Sequence, residues 1–511
     1  MWRSALVFGV LLLLAHSTWA QERTPVTIRS ADKLRGIRTD STEIQIAIGH
    51  VSFEQKGTIL NCDSALLFQA YNRVLAYGNV EILQGDTLDI QSDALRYDGN
   101  QDLATLNGNV RLQQQGMTLT TPSLTYNMAT KQAQYTNGAT IQNDSTTLSS
   151  IIGYYYSNSR IAYFKEVVRL VNKRYTLSSD TLEYHTATKV AFFHGPTTIT
   201  SKENTIYCEG GWYDTEQEQA KFTTNAWLDN PPQRLAADTI YYERDNGFGR
   251  ATNNIVFQDT AQAILLFSDA AEYFEAQQTV HATKDPTVVN IIDNDSLFIA
   301  ADTLRSIEDS VRSYLMAYPN VSIFKRDLQG RCDSLAYDRS DSVLTLFHDP
   351  IMWSDSNQFT ADTIRILYRA KGIDRVELRQ QSFMASLKDT LVYDQIKGRD
   401  IDGYFRLDSL RRLEVNGNGE AIYYAQDDSL AYLGVNKVQS SRITIRIQNN
   451  TVDKINFRGS PDAQLDPIQD INPGNFILEG FQWYGDLRPT RPQFRPYRKN
   501  KVAAQAMRHQ D

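Results

Sequence analysis

A repeat of about 29 residues constrains the fold of this 511-residue chain more than any other feature. Large apolar residues recur at near-constant spacing, at Phe53, Ile82, Leu112, Ile141, Leu170, Ile199, Leu228, Phe257, Val288, Ile323 and Met352. A parallel series of tyrosines runs through Tyr97, Tyr126, Tyr155, Tyr184, Tyr213, Tyr242 and Tyr273. Such regularity indicates stacked copies of one structural unit rather than a set of independent globular domains.

Each repeat has the residue pattern of paired β-strands. In Ser92–Leu112 (SDALRYDGNQDLATLNGNVRL), Leu106, Val110 and Leu112 alternate with polar residues, which places the apolar side chains on one strand face. Turn-forming residues at Asp98–Asn100 separate the two halves of the unit. No long window has helical spacing of apolar residues. The pattern therefore predicts an all-β chain, an elongated twisted β-jellyroll or solenoid of stacked antiparallel hairpins.

Glycines and small residues recur at fixed places within this frame. Gly78, Gly108, Gly138 and Gly195 precede the apolar column, and we expect a strand corner at each. A second column contains only small side chains: Cys62, Ser92, Thr121, Ser150, Ser179, Cys208, Ala237, Ser268, Ala301, Cys332 and Ala361. The cysteines are therefore interpreted as small core residues. Regular stacking would hold them four or five repeats apart, too far for an intramolecular disulfide.

No residue pattern indicates catalysis or metal binding. The aspartates that follow the small column (Asp63, Asp93, Asp180, Asp238, Asp269, Asp302, Asp333 and Asp362) lack a second carboxylate at fixed spacing, so we expect them to accept backbone N–H bonds at the corners. The seven histidines form no zinc-binding pair. The prediction is a non-enzymatic protein without cofactor, and the net charge of -8 argues against nucleic acid as a partner.

The two ends of the chain differ from the repeats. Arg3 precedes the apolar run Ala5–Ala15 and small residues before Gln21, which indicates a signal peptide over residues 1–20 and export of the mature chain. Residues 487–511 are basic and proline-rich, and we expect an extended, mobile tail there. Between the ends, residues 21–370 carry the clear repeats and residues 371–486 a more divergent β region.

The repeat motif resembles that of a known family. Ser92–Tyr97 and Ser179–Tyr184 share the form SD-x-L-x-Y, and Gly78–Val80 and Gly108–Val110 share GNV. Repeated at this spacing, the motifs resemble the OstA-like (LptA) family of periplasmic lipopolysaccharide-transport β-jellyrolls. Residues 371–486 resemble the distal part of long OstA-like proteins of the Bacteroidota type, and we expect no barrel of the LptD type after them.

The resemblance implies a function. It implies a periplasmic bridge that binds lipopolysaccharide or a related glycolipid by its lipid A part and is associated with the outer membrane through its partners. The partners it implies are other Lpt-type β-jellyrolls paired through edge strands, and further copies of this chain joined head to tail. The expected groove lining is Phe53, Ile82, Leu112, Ile141, Leu170, Ile199, Leu228 and Phe257.

The sequence alone allows two other interpretations of the same apolar column. Every β-solenoid needs such a column as a dry core, so a structural or adhesive exported solenoid has the same pattern. A carbohydrate-active solenoid would instead need outward carboxylates and aromatic residues clustered over three adjacent repeats. The charged residues are scattered over all the repeats, which makes this third reading the least favoured.

Overall fold

The computed structural model describes residues 24–494, except for 39–42, 86–87, 115, 144, 293–294, 309–312, 370–371, 391, 407–408, 428–430, 449–450 and 468–475. The expected signal peptide and residues 495–511 of the expected tail lie outside the described residues. The chain divides into two compact units, unit 1 at Met1–Lys173 and unit 2 at Arg174–Asp511. No helix in the described part of either unit is long and apolar enough to cross a membrane.

Unit 1 is built from antiparallel strands with one short 3-10 turn at Gln69–Tyr71. Strands β1 to β13 span Thr27–Ser30, Lys33–Arg38, Glu43–Gln55, Thr58–Phe68, Arg73–Gln84, Leu88–Asp98, Leu103–Gln114, Met117–Asn127, Gln132–Tyr135, Ala139–Gln142, Thr146–Ser150, Ile152–Tyr156 and Ile161–Asn172. Long strands pair with their neighbours in sequence as successive hairpins.

Unit 2 is also built from antiparallel strands, with 3-10 turns at Glu275–Gln277, Gly485–Leu487 and Arg491–Gln493. Strands β14 to β26 span Tyr175–His185, Val190–Ser201, Thr205–Asp214, Gln219–Asn230, Gln233–Glu243, Phe248–Asp259, Ile264–Phe274, Thr279–Thr283, Thr287–Ile292, Asp295–Ala300, Thr303–Glu308, Ser313–Tyr318 and Val321–Lys325. Strands β27 to β38 span Leu328–Cys332, Ser334–Asp338, Val343–Phe347, Ile351–Ser354, Asn357–Thr360, Thr363–Arg369, Gly372–Asp389, Val392–Arg406, Ser409–Gln426, Tyr432–Gln448, Thr451–Arg458 and Asp462–Pro467. The predicted fold class, a stack of antiparallel β-hairpin repeats, is confirmed.

The repeats bend where the sequence predicts corners. In β7, the register shifts between Asn107 and Val110, and Gly108 and Asn109 adopt φ of 75° and 47°. A Cβ on Gly108 would lie 2.4 Å from Oδ2 of Asp93, so both the left-handed backbone and the close approach favour glycine. Gly78, at φ of 72°, is in the same situation beside Asp63. The predicted glycine corners are confirmed at both positions.

The corner splits each hairpin into two layers. The tyrosine layer holds the strand halves with Ala94–Asp98 and Leu103–Asn107, and the aliphatic layer holds those with Val110–Gln114 and Met117–Thr120. In unit 1, apolar residues from both layers pack into one buried cluster, for example Leu106 of the tyrosine layer with Leu112 of the aliphatic layer. The apolar alternation of the sequence therefore produces a two-layer sandwich with its core between the layers.

The aspartates beside the corner have a different partner from the expected one. Their carboxylates accept hydrogen bonds mainly from the side-chain amide of the corner asparagine, not from backbone N–H groups. The pairs are Asp63 with Asn79, Asp93 with Asn109, Asp238 with Asn254 and Asp302 with Asn320, at 2.7 to 2.9 Å. A backbone donor reaches one of the aspartates of this column, where the N–H of Asn254 bonds Asp269. The expectation was therefore wrong for these four pairs, because the left-handed asparagine turns its own amide toward the carboxylate.

The small-residue column is buried throughout the described repeats, from Cys62 to Ala361. All three cysteines are free and buried. Burial raises the pKa of Cys62 and of Cys208 to about 11 and that of Cys332 to about 12. Because a thiol reacts as its thiolate, these side chains are chemically quiet. Their interpretation as small core residues is confirmed.

A segment at the C-terminal end of unit 2 lies on the outer face of the aliphatic layer. We call residues 476–494 the C-terminal strap. Three buried glutamines bond to it: Gln395 to the backbone of Phe476 and Leu478, Gln358 to the backbone of Gln482 and Tyr484, and Gln329 to the guanidinium of Arg488. The last described residue, Phe494, is buried against Leu265, Phe298 and Phe324. Residues 487–494 are therefore anchored at Arg488 and Phe494, in contrast to the expected mobile tail.

Candidate functional site

One interior wall in unit 2 is apolar and incompletely covered. Consecutive strand pairs from β15 to β20 align Ile199, Ile206, Leu228, Leu235, Phe257 and Leu266 in one row of the aliphatic layer. All of these side chains are half-buried. The row leads into the core of the later repeats, because Leu266 packs against the cluster that contains Val288. It is therefore an interior row that keeps contact with solvent.

The opposite wall belongs to the tyrosine layer. Strand pairing aligns tyrosines with small residues in the order Tyr184, Ala191, Tyr213, Ala220, Tyr242, Gly249 and Tyr273. The four tyrosines are half-buried, and burial raises the pKa of each phenol, so the hydroxyls are neutral. Tyrosine suits the margin of an apolar space because its ring is apolar and its hydroxyl is polar.

A sealed floor connects the two walls. Leu182, Phe193, Phe222 and Ile240 of the tyrosine layer are buried, as are Cys208, Ala226, Ala237 and Ile255 near the corner. The rings of Phe193 and Phe222 stack with centroids 6.3 Å apart. Half-exposed walls over a closed floor form an apolar groove, which we call the unit 2 groove.

The open side of the groove lies between the edges of the two layers, and we call it the mouth. Side chains bridge the mouth at the N-terminal end of the groove. The Arg174 guanidinium, at the edge of the aliphatic layer, lies 3.0 Å from the carboxylate of Glu218, at the edge of the tyrosine layer. Arg244 approaches the same carboxylate at 3.3 Å. Beneath this ion pair, the rings of Tyr175 and Tyr213 meet edge to face at 6.4 Å, which shows that the two walls face each other.

The other end is closed by a second bridge and by packing. The Gln262 amide, at the edge of the aliphatic layer, donates to Glu308 at 3.3 Å and accepts from Arg339 at 3.1 Å. Both partners lie at the edge of the tyrosine layer. Beyond this bridge the aliphatic row is buried, with Val288, Ile299, Ile323, Met352 and Phe359 in the core. The groove therefore ends there.

The corresponding interior of unit 1 is largely closed, with a small cavity between Phe53, Leu60 and Tyr97. Phe53, Ile82 and Leu112 are at most 3% exposed. Polar side chains join the two layers above them: Lys56 pairs with Asp102 at 2.8 Å, and Tyr97 bonds Gln55. Tyr126 donates to Gln84 at 3.1 Å in the next repeat.

The predicted lining residues thus fall into three groups. Phe53, Ile82 and Leu112 are closed core of unit 1, while Ile141 and Leu170 are half-buried in that unit. Ile199, Leu228 and Phe257 come together in the unit 2 groove. Sequence reasoning did not assign the lining residues Ile206, Leu235 and Leu266 or the facing tyrosines, although the regular tyrosine series was a usable signal for the second wall.

Ionisable side chains elsewhere in the described residues bond to one another. Glu183 accepts hydrogen bonds from His185 at 2.6 Å and from His194 at 2.9 Å. Burial acts to raise the pKa of Glu183, but the two imidazoles outweigh it and hold the pKa below its usual value. Across the described residues, no group of three or more His, Cys, Asp and Glu side chains is arranged to hold a metal ion.

Comparison with known proteins finds a family match in the first part of the chain. Residues 23–180 and 175–238 match a family model described as OstA-like protein. A search of curated proteins found no match. The matched residues include Ile199, Ile206, Leu228 and Leu235 of the groove wall. At the level of the family, the match supports a β-jellyroll of the lipopolysaccharide-transport type. Residues 23–238 of this chain are therefore similar to OstA-like proteins.

Proposed function

We propose that this protein binds lipopolysaccharide or a related glycolipid by its acyl chains in the unit 2 groove and passes it toward the outer membrane without chemical conversion. The observation that carries the proposal is the pair of half-exposed apolar walls above a sealed floor. A continuous row of half-buried apolar side chains favours a binding site, because a chain that needed only a dry core would bury them fully.

The dimensions of the groove suit acyl chains. Six neighbouring strands, β15 to β20, contribute the aliphatic wall, which at about 4.8 Å per strand gives a length of roughly 25 Å. One leaflet of a bilayer has a hydrocarbon depth of about 15 Å, so a single extended acyl chain is shorter than the groove. Each methylene removed from water contributes about 0.8 kcal/mol, so a few chains would supply ample affinity.

The sugar part would stay in solvent. The edges of the groove carry charged and polar side chains such as Lys202, Glu203 and Asn246, all of them exposed. These groups cannot follow acyl chains into an apolar interior without losing hydration. A glycolipid fits this division because its acyl chains and its headgroup meet at one boundary.

The location and partners that we propose follow from the family and from free strand edges. The predicted signal peptide over residues 1–20 would export the chain to the periplasm, where contacts with other Lpt-type β-jellyrolls would connect it to the outer membrane. In unit 1, β2 pairs with β3 and all its residues are exposed, including Leu34 and Ile37. In unit 2, β37 and β38 both pair with β36. Such edges favour strand addition by a partner or by a second copy, head to tail.

Site-specific photo-crosslinking tests the proposal. A photoreactive amino acid at Leu228 or Leu235, in protein expressed in lipopolysaccharide-producing cells, should capture lipopolysaccharide. The matched control positions are Trp227 and Ala236, which neighbour them on the same strands and point to the other face. Capture of lipopolysaccharide at the control positions as strongly as at Leu228 and Leu235, or capture at none of the four, would contradict the proposal.

A further inference from the structure

We infer that the glycolipid enters and leaves the unit 2 groove sideways, through the mouth between its two bridges, and does not slide lengthwise along the repeats of unit 2. This inference rests on the proposed function of the groove and adds the route by which it is loaded. It follows from how each end of the groove is closed.

At the C-terminal end, packing stops movement of the acyl chains. The aliphatic row continues past Leu266 as Val288, Ile299 and Ile323, all of them at most 6% exposed. In the facing tyrosine layer, the row continues past Tyr273 through half-buried Val280 and Ser306 to Leu315, which is 6% exposed. Protein interiors packed in this way have no room for a hydrocarbon chain unless the layers separate. The acyl chains therefore have no continuing path in this direction.

At the N-terminal end, side chains that cross the mouth stop movement of the headgroup. A glycolipid in the groove has acyl chains inside and sugars outside, so the covalent connection between them passes through the mouth. The Arg174–Glu218 ion pair spans that mouth, and the rings of Tyr175 and Tyr213 span the space beneath it. Sliding past this point would require both contacts to open together. Between the bridges, the half-exposed walls need no such opening.

The chain provides positions at which the mouth can be locked. Arg174 and Glu218, which meet across it, are 44 residues apart in sequence. Lys202 and Asn246 are separated by the same number of residues. They occupy the equivalent positions one repeat later, at the edges of the aliphatic and tyrosine layers, and lie between the two bridges. Both side chains are exposed. Cysteines at these positions can be joined by a bifunctional maleimide, and the native cysteines would not compete because they are buried with raised pKa values.

Three double-cysteine variants separate the two routes. The mouth pair is Lys202→Cys with Asn246→Cys, and the end pair is Arg174→Cys with Glu218→Cys. The control pair, Lys221→Cys with Arg250→Cys, lies on exposed positions two strands apart in the tyrosine layer, about 10 Å on strand spacing, and does not cross the mouth. The measurement is the rate of transfer of fluorescent lipopolysaccharide from the loaded protein to phospholipid vesicles, before and after cross-linking.

Lateral exchange predicts that linking the mouth pair slows transfer at least tenfold, while linking the end pair or the control pair changes it less than twofold. Cleavage of a reducible linker should restore transfer. The inference is overturned if linking the end pair slows transfer and linking the mouth pair does not. Equal slowing by both would also overturn it, because lateral exchange needs only the mouth.

Failure of the underlying function gives a different result. If the groove binds no glycolipid, a photoprobe at Leu228 would capture no lipopolysaccharide, either in the protein with its native residues elsewhere or in the double-cysteine variants before cross-linking. If the groove binds glycolipid but loads it lengthwise, capture at Leu228 persists and the end pair becomes the sensitive one.

Discussion

The side-chain amide of Asn109 donates a hydrogen bond to Oδ2 of Asp93, 2.8 Å away, across the strand corner, and Gly108 lies against the same carboxylate. This arrangement makes the corner intolerant of a larger residue at 108. Gly108→Ala should lower the free energy of unfolding of unit 1 by about 1 to 2 kcal/mol, from a left-handed alanine and the close approach to Asp93. Urea denaturation measures the change.

The control for this substitution is Gly36→Ala. Gly36 lies on an exposed strand, where an added Cβ would have its nearest neighbour 3.8 Å away, so its replacement should be nearly neutral. The double variant Gly108→Ala with Asp93→Ala should be more stable than the sum of the single effects, because removing the carboxylate relieves part of the crowding. Strict additivity would show that the carboxylate is not the cause.

A charge in the groove wall should weaken glycolipid binding without unfolding unit 2. Leu228 is half-buried, so Leu228→Asp places a carboxylate where it can still reach water. Loss of one leucine contact of about 1.5 to 3 kcal/mol should raise the dissociation constant for lipopolysaccharide at least tenfold. Lys221→Asp, on the exposed side of β17, is the matched control and should bind normally. Fluorescence titration with labelled lipopolysaccharide distinguishes the two.

The native cysteines should react slowly with maleimides in the folded protein. Burial raises the pKa of Cys208 from about 9 to about 11, so only a minute fraction is thiolate near neutral pH and the side chain is also shielded. Labelling of Cys62, Cys208 and Cys332, followed by mass spectrometry, should require denaturant. Fast labelling of Cys208 in native protein would mean that the floor of the groove opens readily.

The stability that Glu183 contributes should depend on pH. Its pKa is lowered in the folded state, so its contribution is present above the pKa of the unfolded state and is lost as the pH falls through the lower folded value. Glu183→Gln should therefore destabilise unit 2 at about pH 7, by about 1 kcal/mol, and have less effect near pH 3. Urea titrations at the two pH values test this. A larger effect at the acidic pH would contradict the assigned sign.

The aromatic ring at the end of the strap should hold that segment in place. Phe494 is buried among Leu265, Phe298 and Phe324, and Phe494→Ala should cost about 3 kcal/mol or more of strap binding. Faster hydrogen exchange around these residues and faster proteolysis of the strap would report it. Leu487→Ala, at a side chain that is 45% exposed, should change neither. An unchanged exchange rate in the phenylalanine variant would show that the glutamine contacts suffice.

The repeat, the corners and the small-residue column were predictable because each depends on a short local pattern of neighbouring residues. Whether the interior is closed or in contact with solvent was not predictable. Leu112 and Leu228 occupy equivalent positions in their repeats, yet one is closed core and the other a groove wall. The difference comes from side chains far apart in sequence, such as Lys56 with Asp102, which closes unit 1 above Phe53. The periodicity of the sequence does not predict which side chains from distant repeats contact each other.

The corner aspartates and the strap were misjudged for a related reason. A carboxylate at a bend predicts a hydrogen-bond acceptor but does not name its donor, and the asparagine of the GNV motif was available as that donor from the start. In the strap, the prolines indicated an extended chain, whereas Arg491–Gln493 form a 3-10 turn. They could not indicate that Phe494 and Arg488 would find partners in strands far earlier in the sequence, as Arg488 does with Gln329, 159 residues away.

The strap also affects how unit 2 folds. A stack of repeats in which each contacts its neighbours can unravel from its end, one hairpin at a time. The strap ties β34 to β31, β27 and β23 at once, so the last repeats cannot peel away individually while it stays docked. These strands should lose protection from hydrogen exchange as one cooperative block, and the final step of folding should be the closure of a long loop rather than the addition of one more hairpin.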